Sequence, residues 1–142
     1  MPDVFTKAKR SEVMSRIKGR DTQPERAVRS MLHRMGYRFR LHKTDLPGKP
    51  DIVLTRYGTV IFVHGCFWHR HKGCRFAYVP KSRQKFWQTK FESNVKRDRK
   101  VRGRLRKLGW HVIVVWECAL RSPSRLWKRL EAALSERTGY AE

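Results

Sequence analysis

Long apolar runs are missing from this chain: no uninterrupted hydrophobic stretch approaches the roughly 20 residues needed to cross a bilayer. The first residues also lack the apolar centre of a secretory signal. Both absences point to a soluble cytoplasmic protein with no membrane partner. Acidic residues are scarce as well, with 12 Asp plus Glu against 34 Lys plus Arg and a formal net charge of +22. Self-repulsion on that scale calls for a polyanionic partner, which makes nucleic acid the leading candidate and the nucleoid the expected place. An anionic membrane surface is the rival. Cysteine is limited to Cys66, Cys74 and Cys118. An odd number without a secretory signal argues against a disulfide framework and leaves metal ligation or free thiols. Internal repeats and low-complexity tracts are absent too, and 142 residues suit one domain with a real core.

The remaining pattern divides the chain into a basic arm over residues 1–20 and a single domain over 21–142. The arm carries Lys7, Lys9, Arg10, Arg16, Lys18 and Arg20, with Met14 and Ile17 three apart among them. Thr22-Gln-Pro-Glu25 reads as a capping box with Pro in the first turn, opening a helix with Ala27, Val28, Met31, Leu32 and Met35 on its apolar face. Gly36 closes it, and alternation over 37–41 predicts a strand. The turn Leu46-Pro-Gly-Lys-Pro50 leads into a strand at 51–54, and Tyr57-Gly58 into another at 60–63, the two forming a hairpin. Residues 86–108 show a helical period on a basic background, with Gly103 a weak point. The apolar run 110–116 reads as a central strand buried on both faces, after which Ser122-Pro123 caps a last helix through Arg137. Helix, three strands, helix, strand, helix predicts an α/β fold with a mixed central sheet flanked by helices.

Cys66-x4-His71-x2-Cys74, joined by Cys118, offers three thiolates and an imidazole, a complete tetrahedral shell for Zn²⁺. The competing reading is three small buried hydrophobes. A closed four-ligand shell is structural, and it would pin the 66–74 loop to the end of the strand before Cys118. Asp51 heads one strand and His69 lies just beyond the next, supplying the metal-holding carboxylate and the base that phosphodiester hydrolysis requires. Asp51 is otherwise a turn residue after Pro50, and His64 and His69 are otherwise packed histidines or phosphate contacts. Their crowding beside the cysteine loop favours a site. Glu25 has its capping role, with a catalytic one compatible. Phe67, Trp68 and Trp87 either stack on or wedge between bases, or pack in the core. From Lys96 to Lys107 eight cations, Arg97 among them, face only Asp98, a footprint for phosphates that adds affinity rather than specificity.

Several strings together resemble one family, the very-short-patch mismatch endonucleases. They are Arg10-Ser11…Met14…Arg20-Asp21-Thr22-x-x-Glu25, Leu46-Pro-Gly-Lys-Pro-Asp51, Val60-Ile-Phe-Val-His-Gly-Cys-Phe-Trp-His69, Phe86-Trp87, Asn94-Val-Lys-Arg-Asp98 and Leu108-Gly-Trp…Val-Trp116-Glu-Cys-Ala-Leu120. The match runs from about residue 3 to 121. The resemblance implies a restriction-endonuclease-like fold and nicking of the T-bearing strand 5′ of a T:G mismatch left by 5-methylcytosine deamination. It further implies that Asp51 holds Mg²⁺ with the main-chain carbonyl of residue 63, that His69 activates water, and that His64 and Glu25 support the phosphate and hydrated metal. Phe67, Trp68 and Trp87 would enter the base stack from the major groove, with Met14 closing from the other side, and Asn94 and Arg97 would contact DNA. Cys66, His71, Cys74 and Cys118 correspond to the family's zinc ligands. Position 63 is Val where a family relative has Thr, and the segment before Cys74 is one residue longer. The implied enzyme is a monomer on double-stranded DNA, with mismatch-repair proteins as candidate partners. A non-catalytic zinc-stabilised binding module and a restriction-type or RNA-directed nuclease are the alternatives.

Overall fold

The alternation in the strands decides which helix covers which face of the sheet. The computed structural model describes residues 22–137; the basic arm with Met14 lies outside the described residues. Within them the order is α1 (Gln23–Arg34), β1 (Arg40–Leu41), β2 (Ile52–Leu54), a 3-10 turn (Thr55–Tyr57), β3 (Thr59–His64), α2 (Gln84–Lys107), β4 (His111–Trp116), a second 3-10 turn (Glu117–Arg121) and α3 (Pro123–Ser135). The sheet runs β1-β2-β3-β4, antiparallel in its first two pairings and parallel between β3 and β4, where Val63 is opposite Val115 and His64 opposite Trp116. It is the mixed α/β architecture that the element order implies.

Strand side chains alternate between the two faces. One face presents Ile52, Leu54, Ile61, Val63, Ile113 and Val115 to α1 and α3, whose Val28, Leu32, Leu126, Leu130 and Leu134 complete the main core. The other presents Val53, Val60 and Phe62 to Leu105 and Val101 of α2. That parity puts His64 on the α2 side, where the site is built. No helix among the described residues is long and apolar enough to cross a membrane.

Four local expectations change. The strand over 37–41 shortens to Arg40–Leu41, since the chain continues from α1 with Tyr37 and Phe39 packed on the core as loop residues. The run 110–116 is not the central strand: β3 is, with every residue buried, while β4 is at the sheet edge with only Ile113 and Val115 buried. An apolar run signals burial somewhere but not which strand gains two neighbours. Gly103 does not interrupt α2, and Ser122 occupies the N-cap of α3 without a side-chain capping bond.

Candidate active site and metal centre

Asp51 is buried at the head of β2, where its Oδ2 accepts the Val63 N–H of β3 at 2.7 Å. Burial pushes its carboxyl up to about 7, against the charge-favouring N–H, and the neighbouring Glu25 carboxyl adds to the rise. Glu25 arrives from the first turn of α1. Thr22 does cap that turn, accepting the Glu25 N–H at 3.4 Å, while the Glu25 carboxylate faces Asp51 and accepts from Arg29 at 3.1 Å. The cap bond comes from Thr22, while the Glu25 side chain is turned into the cleft. The His42 ring, just after β1, stands 3.5 Å from Glu25 and 3.0 Å from Arg29, and the His42 main-chain N–H donates to the Asp51 carbonyl. One ligand atom each from Glu25, His42 and Asp51 lies within 4.8 Å of the others, so these side chains could hold one cation.

His64 ends β3 and stacks flat on His69, ring centres 3.9 Å apart and planes 6° from parallel. Burial, reinforced by His69, lowers its pKa to about 3, so His64 is neutral. His69 has Nδ1 held by Asp98 of α2 at 2.7 Å. With a carboxylate accepting at Nδ1, that nitrogen carries the proton and Nε2 presents a lone pair. Asp51, Glu25, His42, His64, His69 and Asp98 all line one open cleft of about 1920 Å³, with Lys90, Arg97 and Arg102 on its wall.

The aromatic residues pack together without being fully buried. Phe67, Trp68 and Trp87 pack on one another at 5.1–5.8 Å between ring centres, yet each stays partly exposed, and Trp68 and Trp87 line the cleft. Asn94 donates to the Trp68 carbonyl at 3.0 Å, and Arg97 reaches Asn94 at 3.4 Å. Asn94 thus fixes the loop that carries the aromatics.

Cys66, His71, Cys74 and Cys118 converge with one donor atom each within 4.8 Å, on the β4 end of the same loop. His71 Nδ1 is 3.7 Å from the Cys66 sulfur and 3.4 Å from that of Cys118, and its ring stacks on Trp116 at 4.3 Å. Burial drives the Cys66 thiol up to about 12, a state that a bound cation would reverse. The four side chains could hold one metal ion.

The fold is similar to that of the catalytic domain of homing endonuclease I-Bth0305I, with a TM-score of 0.55 at 18% identity, covering 78% of this chain and 92% of that one. The two chains share a mixed α/β fold. Residues 2–75 match the family "DNA mismatch endonuclease Vsr". Type II nicking enzyme V.XorIIP of Xanthomonas oryzae pv. oryzae is 48% identical over 94% of this chain and 98% of its own. DNA mismatch endonuclease Vsr of Escherichia coli K12 is 47% identical over 96% of this chain and 85% of its own, and nicking enzyme V.NmeAIP of Neisseria meningitidis 45% over 96% of each. The chain belongs to the Vsr family of DNA mismatch endonucleases and is a DNA endonuclease.

Of the residues singled out in the sequence, Asp51, Val63, His64, His69, Glu25, Trp68, Trp87 and Arg97 share the cleft. Phe67 and Asn94 do not line it but contact residues that do, Phe67 packing on Trp68 and Trp87 and Asn94 bonding the Trp68 carbonyl. His42, Arg29 and Asp98 were missed. Asp98 was read as the lone counter-charge in a basic run and as part of a family string, without a role; no local signal marks it as the partner of a histidine 29 residues earlier.

Proposed function

We propose that the chain nicks the T-bearing strand of duplex DNA on the 5′ side of a T:G mismatch, the lesion left when 5-methylcytosine deaminates, and so opens very-short-patch repair. The observation that carries this reading is the single cleft holding a buried carboxylate pair, Asp51 and Glu25, beside an imidazole oriented by Asp98. Half-exposed aromatics form its rim.

Two facing carboxyls in a buried pocket, with Asp51 pushed up to about 7, are a hard oxygen donor set that a divalent cation would relieve. Asp51, with the Val63 main-chain carbonyl, would hold Mg²⁺, which supplies charge neutralisation at the scissile phosphate. The remaining work falls to the protein. His69 Nε2 takes the proton of the attacking water, while Asp98 accepts the Nδ1–H bond and stabilises the imidazolium that forms. His64, neutral and stacked on His69, fixes the plane of that ring and faces the phosphate. Glu25, held by Arg29, orients water around the ion. In-line attack leaves 3′-hydroxyl and 5′-phosphate ends. One such site in a monomer cuts one strand.

Zn²⁺ suits the second cluster. Zn–S and Zn–N bonds of about 2.3 and 2.1 Å put the corners of a tetrahedron about 3.6–3.8 Å apart. The sulfur–nitrogen separations of 3.7 and 3.4 Å match that spacing. This ion would be structural, tying the His69 loop to the end of β4. Phe67, Trp68 and Trp87 would wedge into the stack, where a weak pair costs least to open, with Met14 of the arm closing from the opposite side. Asp51→Ala is expected to abolish nicking while mismatch binding persists; unchanged cleavage would remove Asp51 from the mechanism.

A further inference from the structure

Arg70 is spent in an unusual way for a cation on a DNA-binding protein. Its guanidinium makes three hydrogen bonds, all to main-chain carbonyls: Nη1 donates to Phe67 at 3.2 Å and to Tyr78 at 3.0 Å, and Nη2 donates to Ala77 at 2.7 Å. Its flat face lies 3.8 Å above the centre of the buried Phe91 ring of α2, with the Phe67 ring at 5.7 Å. Burial lowers its pKa, as expected of a cation drawn off the solvent. The backbone is bent to permit this, since Arg70 adopts φ +56°, a left-handed conformation disfavoured for a residue with a Cβ.

The fork joins two passes of chain that no helix or strand connects, the turn carrying Phe67-Trp68 and the segment carrying Ala77-Tyr78 at the end of the Cys74 turn. The Tyr78 ring packs on Phe67 at 5.1 Å, so the second pass backs the first. Asn94 takes the next carbonyl along, that of Trp68. Two consecutive carbonyls of the Phe67-Trp68 dipeptide are therefore each bonded by a side chain, one from its own loop and one from α2.

From this geometry we propose that Arg70 is a specificity-determining positioning residue: it presets the Phe67-Trp68 wedge in its working shape before DNA arrives. The inference rests on the proposed wedging role and adds its mechanism. A preset wedge loses little conformational freedom on insertion, so more of the stacking energy appears as preference for the base pair that opens easily. Lysine is the informative substitution, because it keeps the charge but presents a single ammonium where the fork reaches three acceptors and lies flat on a ring.

The test measures kcat/KM on T:G and on matched duplex, and the single-turnover rate at saturating enzyme, for wild type, Arg70→Lys and Trp68→Ala. Arg70→Lys is expected to lower the mismatch-to-match ratio about tenfold, the cost of ordering one or two side chains, with the saturated single-turnover rate within about twofold. A purely structural role would instead lower both substrates and the saturated rate together, and that result overturns the proposal. An unchanged ratio in Arg70→Lys with a collapsed ratio in Trp68→Ala overturns the clamp and leaves the wedge standing. An unchanged ratio in both removes the wedge itself. Fluorine NMR of the DNA-free protein labelled with fluorotryptophan, the Trp68 line assigned by its loss in Trp68→Phe, gives a reading that needs no Arg70 variant. A single sharp Trp68 line is expected, and a line averaged to the position seen in denaturant contradicts the preset wedge.

Discussion

Asp51 sets folding against chemistry within one side chain. Its carboxyl rises to about 7 in the fold, from 3.8 for an ordinary Asp, chiefly by burial. The folded chain therefore binds a proton that the unfolded chain releases above about 4. Between those values stability falls as pH rises, and above 7 the penalty is fully present. In divalent-free buffer Asp51→Asn is expected to melt higher than wild type at pH 8, with the difference shrinking towards pH 4; calorimetric scans across that range check it. Adding Mg²⁺ should raise the melting temperature of wild type and not that of the variant. Asp98 offers the complementary test. Asp98→Asn keeps the size of the side chain but offers an amide that can donate to Nδ1 and stabilise the wrong tautomer of His69. The saturated nicking rate is expected to drop by about 10²-fold or more, with DNA affinity nearly unchanged. Asp51 and His69 were legible in the sequence because strand ends and turn residues flank them. Asp98 and His42 were not, because a helix docking across 29 residues and the pairing of a two-residue strand bring them in.

Elements place these side chains through contacts that single residues can break. Gly48, in the turn between β1 and β2, has φ +72°, and a Cβ there would overlap the Val101 side chain of α2. Gly48→Ala is expected to cost about 2 kcal/mol, combining the strained φ with forced displacement of a packed helix. Chemical denaturation measures it. The Cys66, His71, Cys74 and Cys118 cluster joins the His69 loop to the turn after β4; if it holds the proposed zinc, Cys118→Ser should release metal, read by a chelating dye, and lower nicking together with melting temperature. Helices were legible from periodicity: Thr22 caps α1 as its sequence indicates, and α2 runs through the basic stretch. The strands were less so. Val60–Val63 and Val112–Val115 are equally apolar, and only the topology decides that β3 is enclosed on both sides while β4 is an edge.

For the whole molecule, a net charge of +22 means that binding should be governed by counterion release. If about six phosphates are contacted, the logarithm of affinity should fall with that of salt at a slope of about −5 on matched and mismatched DNA alike. The vertical gap between the two lines, set by the wedge and the base contacts, should persist across salt. Cations on α2 point both into the cleft, as Arg97 and Arg102 do, and away from it, so charge alone supplies grip without selection. In the proposed function selection and cutting meet in the cleft, which makes strand-resolved cleavage the direct measurement: Mg²⁺, duplexes with T:G or matched T:A at one position, and each strand labelled separately. The expected result is one nick, in the T-bearing strand 5′ of the mismatch, with the matched duplex cut far more slowly and Asp51→Ala cutting neither. Equal cleavage of matched DNA, or incision of both strands, would contradict it.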